Sequence, residues 1–388
     1  MAIRVSADGV WENATAYTLT NDAPLGVGAW SSVHLAIPSE DCRSISAPAA
    51  ADTPPATPVG RSTQGFSRLT AAVWAVKAPI NKTAQTVIRS EARILSRIFS
   101  HQPQPPPPAQ YVVPFHGLDP QTGNLVMDAL PLTLDDFINE DLAALPEPRR
   151  AALLADVFPL LAQHLLAGLD WLHTAAGVVH ADIKPSNILL RPTRAGQLAF
   201  TPLYTDFSAA LSLRPDAPVT PPPANSTSAA TTTPPTSPTH AVRLSDPSHQ
   251  QPSHPTPSPF AAGTWDFLAP ELCRATTPPP VPTPSSDVYA LGITFLTLLT
   301  GASPFDAVAQ GNAIRRREMI RVGDAVGFAA MDARGGKRVR DVARGMRLAG
   351  WLRAGLAKSA EKRVAAREWG GWVAAAFGRR SGDGGSEA

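Results

Sequence analysis

Cysteine is nearly absent: Cys42 and Cys273 are the only two in 388 residues, far apart and in unlike contexts. Neither a disulfide framework nor a cysteine-based metal site can be built from them, and the expectation is a reducing compartment. Long apolar runs are missing too. The longest, Val288 to Leu299, falls well short of the roughly 20 residues that cross a bilayer, and the N-terminal MAIRVSADGV has no apolar signal core. Charge is sparse, at 17% of residues with a formal net charge of +2. About half of the Lys and Arg follow Ala313, so the basic character is local. That basic stretch lacks interleaved aromatics and a recognised motif, which weighs against a nucleic-acid partner. No internal repeat is present. The expectation is a soluble intracellular protein, cytoplasmic and/or nuclear, without a membrane span.

What the chain does contain is apolar material for a sizeable core, 44% of residues, and 41 prolines. Most prolines fall in three patches, about 38–70, 102–108 and 213–259, which read as disordered insertions in a globular domain. Tyr17 to Ala36 alternates apolar and small residues around glycines and predicts two strands with a tight turn. Ala71 to Ala78 predicts a strand ending in a lysine, and Thr83 to Ser100 a helix through Val87, Ile88, Ile94, Leu95 and Ile98. Strands are expected at Val112 to Phe115 and Asn124 to Met127. Thr133 with Asp136 caps a short helix at Leu134. Ala151 to Thr174 and Ser286 to Thr300 read as apolar helices. Gln310 to Leu348 is basic and broken by glycine.

Chemistry concentrates in Val179-His180-Ala181-Asp182-Ile183-Lys184-Pro185-Ser186-Asn187-Ile188-Leu189. A carboxylate to orient a hydroxyl, a cation for a migrating phosphoryl group and an oxygen ligand for a metal all sit on one short loop. The string resembles the catalytic loop of the eukaryotic protein kinase superfamily, Ser/Thr type. Leu203-Tyr204-Thr205-Asp206-Phe207-Ser208 resembles that family's metal-binding element. Gly263 to Glu271 resembles the end of its activation segment, and Leu25-Gly26-Val27-Gly28-Ala29-Trp30-Ser31-Ser32-Val33 its phosphate-covering hairpin. By itself the last is an ordinary glycine turn; it gains force from Ala75-Val76-Lys77 and from Glu91 on the following helix.

The resemblance implies an α+β fold of bilobal protein-kinase type, with a small antiparallel-sheet N-lobe at about 17–128 and a mainly helical C-lobe at about 131–376, followed by a flexible tail at 377–388. It implies a protein serine/threonine kinase that uses ATP and Mg2+. Asp182 orients the substrate hydroxyl, Lys184 steadies the γ-phosphoryl group, and Lys77 paired with Glu91 aligns the nucleotide. Asn187 and Asp206 hold the metal. Leu25, Gly26, Gly28, Val33, Ala75, Met127, Asp128, Leu130 and Leu189 complete the nucleotide pocket, with Met127 guarding its back and Asp128 to Leu130 as hinge. Leu95, Phe115, His180 and Phe207 form a column on Asp287, and Glu271 pairs with Arg363.

Two departures from the family pattern, Ala181 and Ser208, motivate the alternative of a nucleotide-binding pseudokinase acting as a scaffold. Ala181 removes an arginine that reads a phosphorylated activation loop, and Ser208 restricts backbone flipping beside Asp206. The expected partners are protein substrates, with Asp135, Asp136, Glu140 and Asp141 pointing to basic ones. Regulators acting at Thr233-Pro234, Ser237-Pro238, Thr256-Pro257 and Ser258-Pro259 are also expected.

Overall fold

The computed structural model describes residues 3–14, 16–20, 23–39, 73–100, 107–193, 200–214, 265–342 and 348–377. The Pro/Ser/Thr-rich stretch after Arg214 with its four Ser/Thr-Pro pairs, Gly263-Thr264, and most of 38–70, 102–108 and 377–388 lie outside the described residues. The architecture is mixed α/β with a predominantly antiparallel sheet.

Strands β1 (Arg4–Val5), β2 (Trp11–Glu12), β3 (Tyr17–Leu19), β4 (Gly26–Val27), β5 (Ser31–Pro38) and β6 (Trp74–Pro79) precede helix α1 (Lys82–Ser100), and β7 (Phe115–Leu118) and β8 (Leu125–Asp128) follow it. They form one eight-stranded sheet in the order β1-β2-β7-β8-β6-β5-β3, with β4 on β5. Every pairing is antiparallel except β2 with β7. The sheet starts at Arg4, ahead of the Tyr17 expected from the alternation.

Period-two geometry sends the side chains of β6 to opposite faces. Ala75 joins the main core, while Trp74 and Val76 pack with Ala36 and Val126 in a smaller cluster. Lys77 shares the face of Ala75, towards α1. On α1 the buried stripe runs Ala84, Ile88, Glu91, Ala92, Leu95, Ile98, the spacing of a core-facing helix. Glu91 is the one acid on that stripe, and its position obliges a cation to meet it.

Beyond the sheet come β9 (Leu132–Thr133), α2 (Leu134–Asp136), α3 (Glu147–Trp171), β10 (Val178–Val179), β11 (Ile188–Pro192), β12 (Phe200–Tyr204) and β13 (Leu211–Ser212). The chain ends in α4 (Pro284–Thr300), α5 (Asp306–Ala309), α6 (Ala313–Val322), α7 (Ala325–Met331), α8 (Ala333–Val342), α9 (Leu348–Gly355) and α10 (Ala366–Phe377). Thr133 and Asp136 make the expected reciprocal cap. Thr283 and Ser286 make another at the start of α4, whose residues Ser286 to Thr300 are all buried. The far end of α4 is closed by arginines: Arg150 Nη2 donates to the Leu298 and Leu299 carbonyls at 3.0 and 3.1 Å, and Arg338 donates to Thr300. These are the carbonyls that a helix leaves without partners. Phe158, Phe295, Trp351 and Trp369 stack against one another around α4, with the two indoles 4.6 Å apart.

Three expectations change. The strand expected at Val112 to Phe115 begins only at Phe115, because Pro114 has no N–H for a ladder; Val112 bridges Tyr204 instead. The basic helices expected after Gln310 form, and Gly323 ends α6, but Gly335 and Gly336 lie inside α8 without breaking it, where side chains would press on the Ala329 and Ala330 carbonyls at 3.1 and 3.3 Å. Among the described residues the helical segment Glu147 to Ala176 is long and apolar enough by composition to cross a bilayer, although the longest unbroken apolar run, Val288 to Leu299, is not. In the fold it packs against α10, α8 and α4, with Phe158, Leu161, Leu165 and Leu169 fully buried.

Candidate active site

Lys77 on β6 is 6% exposed and Glu91 on α1 is 1% exposed. Charges taken that far from water have to be matched. Lys77 Nζ donates to Glu91 Oε2 at 2.8 Å and to Asp206 Oδ1 at 2.9 Å, which ties strand, helix and the segment after β12 together. The second Glu91 oxygen accepts from the Phe207 N–H at 3.1 Å. Burial works against the charge on Lys77, but Asp206 and Glu91 outweigh it and hold the ammonium well above its usual range. For Asp206, too, burial is overcome by the Lys77 charge and by hydrogen bonds from Ser208, and its carboxyl lies well below the carboxylate range. Burial dominates at Glu91 and pushes that carboxyl up, with Lys77 opposing.

The loop after β10 is held from below. Asp287, in the first turn of α4, is 1% exposed and accepts from the His180 N–H at 2.8 Å, the Ala181 N–H at 2.9 Å and His173 Nε2 at 3.0 Å. His180 is fully buried, 4.6 Å from the Phe207 ring. Its Nε2 meets the Thr205 carbonyl at 3.0 Å and its Nδ1 faces the Asp182 N–H at 3.4 Å, so the imidazole packs and braces and does not face a substrate. Ala181 and Asp206 have φ of 65° and 60°. Non-glycine residues in this region cost about 1–3 kcal/mol each and persist where surrounding contacts over-determine them. Here Asp287 supplies those contacts for Ala181, and Lys77 with the Ser208 N–H (3.3 Å) supplies them for Asp206.

Above that base, Lys184 Nζ donates to Asp182 Oδ2 at 2.7 Å, and Asn187 Nδ2 donates to the Asp182 carbonyl and Oδ2 at 2.8 and 2.9 Å. Those bonds orient the Asn187 amide so that its Oδ1 is left for a cation. Asp206 Oδ1 accepts from Lys77 Nζ and the Ser208 N–H. Among the described residues no three His, Cys, Asp or Glu side chains cluster as a metal site. Asn187 and Asp206 bring two oxygen-bearing side chains to the same cleft, the hard donor type that a Mg2+ ion would take.

A cleft of about 500 Å³ opens between the sheet and the helical part. Leu25, Gly26, Gly28, Val33, Ala75, Lys77, Met127, Asp128, Leu130, Lys184, Asn187, Leu189 and Asp206 line it, as the sequence reading expects. Glu91 does not; it stands behind Lys77. Asp182 is likewise outside the lining and reaches the cleft through Lys184 and Asn187. Val27, Ser31, Pro131, Leu132, Thr133, Asp136, Ser186 and Thr205 line it in addition. Of these, Thr205 was readable from its place before Asp206; its hydroxyl meets Met127 Sδ at 3.8 Å. In the expected hinge, the Asp128 N–H is spent on the Pro114 carbonyl and the Ala129 N–H on the Val73 carbonyl. Asp136, one of the acids expected to face basic substrates, has its Oδ2 occupied by Thr133.

Two further expected groups take their places at a distance. Phe115 and Leu95 are buried in the same core as Phe207. Glu271 receives both guanidinium arms of Arg363 at 2.5 and 2.6 Å, and Arg363 also donates to the Ala357, Ser285 and Lys358 carbonyls. No protein-family model matches this chain, and no curated protein matches it.

Proposed function

We propose that this chain is a protein serine/threonine kinase of the eukaryotic protein kinase superfamily, with the sheet and α1 as the smaller lobe and the helical part as the larger. The observation that carries the reading is the convergence of Lys77, Asp206, Lys184 and Asn187 on one cleft from elements far apart in the chain, with Glu91 bonded to Lys77 behind it and Asp182 bonded to Lys184 and Asn187 beside it.

Each group has work suited to phosphoryl transfer, which is mostly positioning and charge stabilisation. Lys77, kept charged by two carboxylates, presents a fixed cation to the phosphates of ATP. Asp182 accepts the hydrogen bond of a serine or threonine hydroxyl and takes its proton. Lys184 adds a second positive charge beside that carboxylate, at the position typical of Ser/Thr enzymes. Asn187 and Asp206 would hold Mg2+, which when bound neutralises charge on the phosphate oxygens. Leu25, Val33, Ala75, Met127 and Leu189 offer apolar walls for the adenine, and Gly26 and Gly28 let the β4–β5 turn approach the phosphates without side chains.

The test is transfer of labelled phosphate from Mg-ATP to serine and threonine peptides by purified protein. Wild type is expected to turn over, and Asp182→Asn to lose at least about a hundredfold in kcat with little change in ATP affinity. Full activity in Asp182→Asn overturns the assignment. Tight nucleotide binding without transfer by the wild type returns the chain to the scaffold reading raised by Ala181 and Ser208.

A further inference from the structure

The Lys77–Glu91 contact joins a strand to a helix, so whatever fixes α1 against the sheet fixes that contact. The N-terminal hairpin does this from both sides. Its turn, Ser6 to Val10, carries Asp8, which accepts from Arg89 Nε at 2.8 Å, Arg89 Nη2 at 2.7 Å and Arg93 Nη2 at 2.7 Å; Arg93 Nε adds a bond to the Asp8 carbonyl at 2.8 Å. Arg89 and Arg93 lie two positions before and after Glu91, on the opposite side of the helix. One turn further on, the Trp11 N–H donates to Ser96 Oγ at 2.8 Å in a buried bond.

The same hairpin is stitched into the sheet. Glu12 pairs with Leu118 of β7 in parallel, the Asn13 N–H donates to the Leu118 carbonyl at 3.0 Å, and Asn13 Nδ2 to the His116 carbonyl at 2.9 Å. The Trp11 ring stacks on Phe115 at 6.2 Å and leans on Phe99 of α1 at 6.4 Å. The sheet edge is shaped for this strand: Gly117 has φ +126° at a break in register, and a side chain there would meet Asn13 Cβ at 2.8 Å.

We propose that Asp8 is a positioning residue: through Arg89 and Arg93 the N-terminal hairpin clamps α1 to the sheet edge and so keeps Glu91 on Lys77. Its consequence for phosphoryl transfer rests on the kinase reading; the clamp itself does not.

The test compares the full-length wild type with Asp8→Ala and Asp8→Glu by amide hydrogen exchange along α1, by thermal melting, and by kcat and KM for a serine peptide. For Asp8→Ala, faster exchange in α1 and a fall in kcat of about tenfold with KM unchanged are expected, since small misplacements of aligning groups are costly. Asp8→Glu, which keeps a carboxylate within reach of both arginines, restores most of the loss. Arg89→Gln combined with Arg93→Gln breaks the same link from the helix side with the hairpin's own residues unchanged, and must reproduce the effect if Asp8→Ala does not fold. A lower melting temperature with α1 exchange and kcat unchanged reduces Asp8 to a stabilising contact and overturns the proposal. A fall in kcat without any change in α1 exchange overturns it too. A wild type that transfers no phosphate, while Asp8→Ala still loosens α1, refutes the kinase reading and leaves the clamp standing.

Discussion

Among the described residues, buried Lys77 and Arg363 each have a carboxylate within hydrogen-bond distance, whereas buried Arg150 is met by the Leu298 and Leu299 carbonyls. Glu147, in the first turn of α3 where the helix dipole favours an acid, accepts from Arg334 at 2.8 Å and from Arg338 at 2.6 Å. Those bonds, chiefly that from Arg338, hold its carboxyl at about 2 against an ordinary 4.5. A depressed folded pKa means stability that is complete above the unfolded value and lost as pH falls towards the folded one. Glu147 is 41% exposed, so solvent screening limits the gain to about 1 kcal/mol. We therefore expect the melting-temperature gap between wild type and Glu147→Gln to be largest near neutrality and to shrink between about pH 4.5 and pH 2. A gap that stays constant through a calorimetric pH series would show that this carboxylate does not stabilise the fold by its charge. Neither the helix position of Glu147 nor its partners were readable from the sequence: Glu147 lies ahead of the helix expected from Ala151, and its partners sit on α8.

At the scale of elements, α4 is the support of the site. It begins with Thr283-Pro284-Ser285-Ser286, where Thr283, three residues before the helix start expected at Ser286, and Ser286 cap each other, and its first turn delivers Asp287 to the backbone of His180 and Ala181. Removing the cap by Thr283→Ala is expected to cost about 1 kcal/mol, seen as a lower midpoint in urea at an unchanged slope. Helix α1 was legible, since Ala84, Ile88, Glu91, Leu95 and Ile98 fall on one 3.6-residue stripe. The strands β1 and β2 were not. Each is two residues long, too short for an alternating pattern, and β2 finds its partner β7 far along the chain through a parallel pairing that no local turn announces.

For the whole molecule, a ligand that enters the cleft only when sheet and helical part are assembled must raise the stability of the folded state by mass action. Mg-ATP at about a hundredfold above its Kd is expected to add about 2.7 kcal/mol and to raise the melting temperature, with Lys77→Met largely abolishing the shift. A shift of equal size in both proteins would place the nucleotide elsewhere. The sequence by itself determined what depends on neighbours a few residues apart: the cap at Thr133, the apolar face of α1 with its one acid, and the grouping of Asp182, Lys184 and Asn187 on a single loop. Only the tertiary structure decided that Lys77 also meets Asp206, that Asp8 reaches Arg89 and Arg93, that Ala181 and Asp206 take left-handed backbone, and that Glu91 stands behind Lys77 without lining the cleft. Those outcomes follow from packing between elements distant in the chain, where no periodicity connects the partners and the burial of each charge is known only once the surrounding layers are in place.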